Sequence, residues 1–199
     1  MHIDTGNSKP QAQIPYRTNF ENRKVIEAEI HRMEELGYLR PSFSPWASPV
    51  VLVYKKDVNG VVNRSKPRLV SDYTRINNVT VPIVHHMLNT NDILEQLSEA
   101  DLYSSIDLKE SYHQIKMLES DIPKTAITSH CGSYEFLVAN YGLKNSGAFL
   151  QKALNIVLSG LSADWLLSFI DDILIYSGKG LSEDDHINML DRTLQRLAE

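Results

Sequence analysis

The stretch LLSFIDDILIYS, Leu166 to Ser177, sets two adjacent carboxylates, Asp171 and Asp172, inside an apolar, strand-forming run. No other feature restricts the fold as much. An ionised carboxylate is costly to bury without compensation, and a neighbouring one adds repulsion. The pair must therefore face water at a turn or be neutralised by a cation. Successive strand side chains point to opposite faces. One Asp can thus ligate strongly while the other is peripheral or turns in at the bend. A second such run, SSIDLKESY, carries Asp107 at the end of its apolar part. Read singly, each carboxylate is a turn or strand-end residue as readily as a ligand. Two strands that both end in Asp fit a divalent-cation site better. Mg²⁺ takes hard oxygen ligands, one or two carboxylates together with phosphate oxygens and water. A pair of such ions can clamp the attacking and leaving oxygens of an in-line displacement at phosphorus. The combination points to nucleotidyl transfer.

Apolar periodicity predicts a helix over about Phe20–Leu36, with Ile26, Ile30 and Met33 on one face and Gly37 as its stop. The segment before it, residues 1–19, reads as an extended lead-in. VVLVYKK (50–56) and KPRLVSDY (66–73) read as a hairpin with a turn at Asn59-Gly60 and cations near its tip. A short helix over 92–97, a strand over 101–108, a helical turn at ESYHQI and a second hairpin, TAITS with YEFLVA, follow. A helix over about 145–158 is marked by Phe149, Ala153, Ile156 and Val157. The last helix opens at Ser182 with Asp185 in the capping-box position, and is expected to bury Ile187, Leu190, Leu194 and Leu197. Interleaved helices and hairpins favour an α+β fold with a central antiparallel sheet packed on helices.

The 199 residues are 42% hydrophobic and 23% charged, ordinary for a globular chain. No apolar run approaches a membrane span, and the N-terminal residues lack the apolar region of a secretory signal. One cysteine, Cys131, excludes a disulfide framework. The net charge of −5 is unevenly spread: residues 1–80 hold 12 Lys/Arg against 8 Asp/Glu, and the rest 8 against 17. Only the first part has the cationic balance that suits phosphates. Phosphate-binding glycine loops, nucleophile elbows and zinc-ligand spacings are missing from the sequence. His85-His86 and His130-Cys131 have no partner at metal-ligand spacing and read as loop residues.

Six stretches in order, SPWASPVVLVYKKD, PRLVSDYTRIN, SSIDLKESYHQI, KTAITSHCGSYEF, YGLKNSGAFLQ and FIDDILIYS, resemble the fingers and palm of reverse transcriptases, most closely those of gypsy-type LTR retrotransposons. The likeness covers almost the whole chain. It implies a right-hand polymerase fold, with residues 20–77 mainly fingers and 78–199 mainly palm. Fingers residues would be interleaved at about 110–145, and the thumb would be absent. It implies that Asp107, Asp171 and Asp172 are catalytic and hold two Mg²⁺ ions, with Mn²⁺ as a substitute, and that Asp107 and Asp171 are the principal ligands. Lys55 and Arg68 would grip the triphosphate of the incoming dNTP, and Tyr112 would floor the sugar pocket. Tyr141 and Gly142 would lie near the nascent base pair, and Trp46, Gln151 and Phe169 near template and primer. Implied partners are an RNA or DNA template with its primer, dNTPs, and the remainder of a Pol polyprotein with its thumb and RNase H; no membrane is implied. A cytoplasmic particle or the nucleus is the expected location, not a secretory route.

The sequence departs from the family pattern at three places. Phe169 stands where the family usually has Tyr, Asn140 and Gly147 stand where it has Pro, and VHHMLNTND replaces a Pro-Leu-Pro segment. These departures, with a chain expected to stop before the thumb, leave one rival: a catalytically inactive or domesticated remnant that keeps the fold and some nucleic-acid binding. A second rival, an RNA-dependent RNA polymerase, is disfavoured by Tyr112.

Overall fold

The structure, a computed structural model, describes residues 1–56, 62–84, 90–161 and 164–198. It is an α+β fold that divides into two compact units, Met1–Pro82 with Tyr112–Ser146, and Ile83–Ser111 with Gly147–Glu199. The Asn59-Gly60 turn, His85-His86 and the side chain of Lys55 lie outside the described residues.

The first unit is built on helix α1 (Phe20–Glu35). The Asn19 side chain accepts the Asn22 N–H at its start. At its end Gly37, at φ 72, lets the amides of Gly37 and Tyr38 fold back onto the carbonyls of Glu34 and Met33. These are the two bonds of a Schellman stop, and they explain why the helix ends where its sequence signal does. The face of Ile26, Ile30 and Met33 is buried. Five strands form the sheet: β1 (Leu39–Pro41), β2 (Ser48–Lys56), β3 (Val62–Ser71), β5 (Ile127–Ser129) and β6 (Gly132–Phe136), in the order β1-β6-β5-β2-β3. All neighbours are antiparallel except β2 and β5, which run parallel. A parallel pair needs a long connection, and here most of the chain between Lys56 and Ile127 supplies it. α2 (Thr74–Val79) follows β3, and a 3₁₀ segment over Glu119–Thr125 precedes β5.

The lead-in has no regular helix or strand, yet it is pinned. Ile3 belongs to the core of this unit. The Asp121 carboxylate accepts the Ile3 amide at 3.0 Å, the Lys124 ammonium at 2.8 Å and the His2 ring. The Gln13 amide donates to Ala47, and the Ala47 amide to Gln11.

The second unit is a three-stranded antiparallel sheet in the order β4-β8-β7, from β4 (Ala100–Asp107), β7 (Leu166–Phe169) and β8 (Asp172–Gly178). It also holds α3 (Thr90–Leu97), α4 (Ser146–Val157) and α5 (Glu183–Ala198). Ile173 and Ile175 are fully buried. α5 packs on β4 and β8, and Ser182 and Asp185 form the expected reciprocal cap.

One expected helix face, that of α5, is corrected. Ile187 and Leu194 are 58% and 47% exposed, while His186 and Thr193 of α5 are buried. The strands present Ser104 and Ser177 to this helix, and the His186 ring lies 2.9 Å and 3.0 Å from their hydroxyls. A hydrogen-bonding side chain was therefore needed on the inner face, and the helix is turned to provide it. In α4, Ile156 and Val157 are likewise exposed, and Leu150, Gln151 and Leu154 are buried.

Candidate active site

The predicted site residues fall into two sets, one in each unit. Asp107, Asp171 and Asp172 are in the second. Phe169 pairs with Asp172, so Ile170 and Asp171 alone form the loop of the β7–β8 hairpin. Asp107, the last residue of β4, is the register partner of Asp172. The Leu108 amide donates to the Asp171 carbonyl at 3.0 Å. That bond makes Leu108 and Asp171 the hydrogen-bonded pair, so Asp107 and Asp172 occupy the adjoining narrow position, where Cα atoms sit about 4.5 Å apart and side chains lie closest. Topology thus draws the two strand ends together and sets Asp107 beside Asp172, with Asp171 at the adjacent turn. Asp107 and Asp172 are exposed, Asp171 half-buried.

Among the described residues only two non-glycine residues have positive φ, Ile170 at 58° and Glu110 at 48°. Each lies within three residues of a predicted catalytic carboxylate. Ile170 occupies the first central position of a two-residue hairpin and Asp171 does not share its positive φ, the pattern of a turn that favours Gly there. A β-branched residue in this region is an outlier, strained by about 1–3 kcal/mol. Gln151 of α4 meets that turn. Its Oε1 accepts the Ile170 amide at 2.8 Å, and its Nε2 donates to the Ser168 hydroxyl at 2.9 Å and the Ser168 carbonyl at 3.1 Å. Asn155 Oδ1 is also 3.1 Å from Nε2.

Gln151 is 6% exposed. Its amide is committed to the hairpin. Trp46 is buried as well: it is 8% exposed and belongs to the first unit's core. The Ser-Pro-rich stretch around it is tied down, with the Trp46 amide donating to the Ser44 hydroxyl and that hydroxyl donating to the Pro123 carbonyl. Phe169 is 41% exposed beside the carboxylates.

In the first unit the rings of Tyr112 and Tyr141 are 4.8 Å apart and inclined at 60°. Gly142, at φ 88, follows; a Cβ there would meet the Ser71 carbonyl oxygen at 3.4 Å and the Tyr73 ring at 3.7 Å. The Asn77 side chain donates to the Gly142 carbonyl at 2.7 Å. Asn140, buried, accepts the Tyr141 amide and donates to the Ser71 hydroxyl. The chain at 140–142 is therefore held against the end of β3. Arg68 is exposed on that strand, opposite Val53. Lys55 pairs with Asn63 just past an irregularity in the register. Asp72 closes β3: the Thr74 hydroxyl, then the Tyr16 phenol, hold its carboxyl below the ordinary range. The anchoring residue Asn77 was missed in the sequence, where a lone Asn has no distinguishing pattern, and Asn140 was noted there only as a departure from Pro.

Among the described residues no three His, Cys, Asp or Glu side chains converge closely enough, as they stand, to hold a metal ion. The paired strand ends nevertheless carry carboxylates, hard oxygen donors of the right kind, at Asp107 and Asp172, with Asp171 in the turn. None of the helices, over the described residues, is long and apolar enough to cross a membrane.

In fold the chain is of the reverse-transcriptase class. It superposes on the foamy viral protease-reverse transcriptase in complex with an RNA/DNA hybrid at a TM-score of 0.84, with 21% identity over 98% of this chain and 25% of that one. It also superposes on the shorter dRH form of that enzyme in complex with double-stranded DNA, at 0.82 and 22% identity over 98% and 32%. Residues 53–199 match the family described as reverse transcriptase (RNA-dependent DNA polymerase), and the chain belongs to that family. Its relatives include retrovirus-related Pol polyproteins of Drosophila melanogaster transposons. It is 35% identical to that of transposon 297 over 99% of this chain, 38% to that of opus over 82%, and 32% to that of gypsy over 99%. It spans 18%, 16% and 19% of those three polyproteins.

Proposed function

We propose that this chain is the fingers-and-palm part of a retrotransposon RNA-directed DNA polymerase, which adds deoxynucleotides to a primer 3′-hydroxyl as a template directs. The observation that carries the reading is the register of Asp107 against Asp172, with Asp171 in the turn alongside. Two exposed carboxylates opposed at the strand ends, with a third at the turn, have little structural use there, since like charges opposed across a ladder are destabilising.

Asp107, Asp171 and Asp172 would hold divalent metal, Mg²⁺ with Mn²⁺ as a substitute, with Asp107 and Asp171 as the principal ligands. When bound, a pair of such ions lowers the pKa of the attacking hydroxyl and stabilises charge on the α-phosphate. The protein's own contribution is placement. Arg68 offers a planar fork suited to bidentate contact with phosphate, and Lys55 a point charge on the neighbouring strand. Tyr112, braced by Tyr141, presents a ring on which a sugar can rest and against which a 2′-hydroxyl would clash. Phe169 offers an apolar surface beside the carboxylates. On this reading the first unit, apart from the lead-in, is mainly fingers and the second is palm.

The test is primer extension by this chain on RNA and DNA templates with Mg²⁺ or Mn²⁺, compared with Asp171→Asn. Incorporation that the substitution abolishes is the expected result. Primer–template binding without incorporation by the parent chain would replace this reading with that of an inactive, nucleic-acid-binding remnant.

A further inference from the structure

We infer that Gln151 is a positioning residue: it holds the Ile170–Asp171 turn in the strained form that keeps Asp171 next to the Asp107–Asp172 pair. The inference rests on the reading of those carboxylates as a metal site. Three features of the structure carry it. First, Ile170 is left-handed at a position where only Gly rests easily, so the turn has an incentive to relax by rotating its peptides. Second, the one amide of Gln151 grips both sides of Phe169, accepting from Ile170 and donating to Ser168, at 2.8–3.1 Å. Third, that side chain is 6% exposed, so water does not compete for it and losing any of these bonds strands a buried polar group.

The orientation of the amide follows from its partners. A backbone N–H on one side demands the oxygen, and a carbonyl on the other demands the nitrogen. The turn is then held twice, by Gln151 at Ile170 and by the Leu108 amide at the Asp171 carbonyl. With the first hold gone, the peptide before Asp171 is free to rotate, and the Asp171 side chain moves from its position in the turn next to the Asp107–Asp172 pair.

The test uses Mn²⁺ as the probe and needs no turnover. Mn²⁺ affinity, and hydrogen-exchange protection of the Ile170 amide, are measured in the parent chain, in Gln151→Met, and in Gln151→Met with Ile170→Gly. Met fills the space without the bonds; Gly removes the strain that the bonds restrain. Gln151→Met is expected to weaken Mn²⁺ binding 5- to 20-fold and to expose the Ile170 amide. The double variant is expected to return Mn²⁺ binding to within about threefold of the parent, a rescue that a residue serving only packing would not show. If Gln151→Met does not fold, Ser168→Ala removes one of the bonds at little cost in volume and should weaken Mn²⁺ binding two- to threefold. Unchanged Mn²⁺ affinity in the folded variants, with weaker primer–template binding, would overturn the inference and make Gln151 a template contact. Failure of Ile170→Gly to rescue would overturn it equally. If the parent chain binds Mn²⁺ in a Gln151-dependent way but incorporates no nucleotide, the polymerase reading falls and the positioning role stands.

Discussion

Replacing Asp107 by Asn should make the metal-free protein more stable and the Mg²⁺-loaded protein relatively less so. Asp107 and Asp172 share a narrow antiparallel position, which brings their Cα atoms to about 4.5 Å and leaves the two carboxylates roughly 5 Å apart. Both are exposed, so the dielectric of water applies, and Coulomb's law gives a repulsion of ~0.8 kcal/mol. Opposed like charges in sheets fall in the same range, about 0.2–1 kcal/mol. Neutralising Asp107 should therefore stabilise the second unit by about 0.5–1 kcal/mol in EDTA at low salt. At 1 M salt, where the screening length is about 3 Å, most of the gain should vanish. Mg²⁺ at tenfold its Kd would stabilise the parent by about 1.4 kcal/mol. The variant, lacking a principal ligand, gains less, so the order of stabilities should reverse. Urea unfolding followed by fluorescence reads this directly. The chain has two tryptophans, Trp46 in the first unit and Trp165 in the second, so a Trp46→Phe background isolates Trp165. A variant less stable than the parent in EDTA would refute the reasoning. So would Mg²⁺ raising both proteins alike, which would show that the carboxylates do not act together as its site.

Two further outcomes are expected in the first unit. Burial pushes the Asp121 carboxyl up, but the bonds from Lys124, the Ile3 amide and His2 outweigh it and hold the group below its ordinary 3.8. Its folded value is thus the lower one, so its contribution to stability is fully present above that range and is lost as pH falls below 3.8 through the folded value. Asp121→Asn should cost about 2–4 kcal/mol at pH 7 and flatten this acid limb, measured by urea unfolding with Trp46 as reporter; a cost under about 1 kcal/mol would contradict the assignment. Gly142→Ala should cost about 1–2 kcal/mol, because its φ of 88° disfavours a Cβ whatever the space around it. It should also raise the KM for dNTP more than it lowers kcat, since the loop that braces Tyr141 must shift.

Elements whose signals are local could be read from the sequence. The end of α1 follows from Gly37, the cap of α5 from Ser182 and Asp185, and the hairpins from alternating strand residues. The misreadings share one cause: burial is decided by what lies opposite, which a single segment does not carry. The apolar stripe of α5 pointed to Ile187 and Leu194, but Ser104 and Ser177 on the strands selected His186. The burial of Trp46 and Gln151 is set by distant partners in the same way, one in the core and one against the hairpin. Asn77 acts through the Gly142 carbonyl and Asn140 through the Ser71 hydroxyl, both far along the chain, so neither anchoring contact is marked by its neighbours in sequence.

The carboxylates themselves were visible because they break the hydrophobic pattern; the device that sets them was not. Local preference would put Gly at position 170, and Ile is there instead. A turn that its own residues do not favour must be imposed from outside, here by Gln151 from α4 and by the Leu108 amide from the end of β4. The consequence is thermodynamic. The strain is borne only while Gln151 of α4 is bonded to the hairpin, so the position of Asp171 next to the Asp107–Asp172 pair is a property of the folded second unit and not of the FIDD stretch. A peptide of β7 and β8 alone would carry all the residues of the hairpin and should relax at Ile170. Local consistency fails next to the three carboxylates, and at Glu110 as well, which is where a site that must hold like charges together would be expected to break local rules.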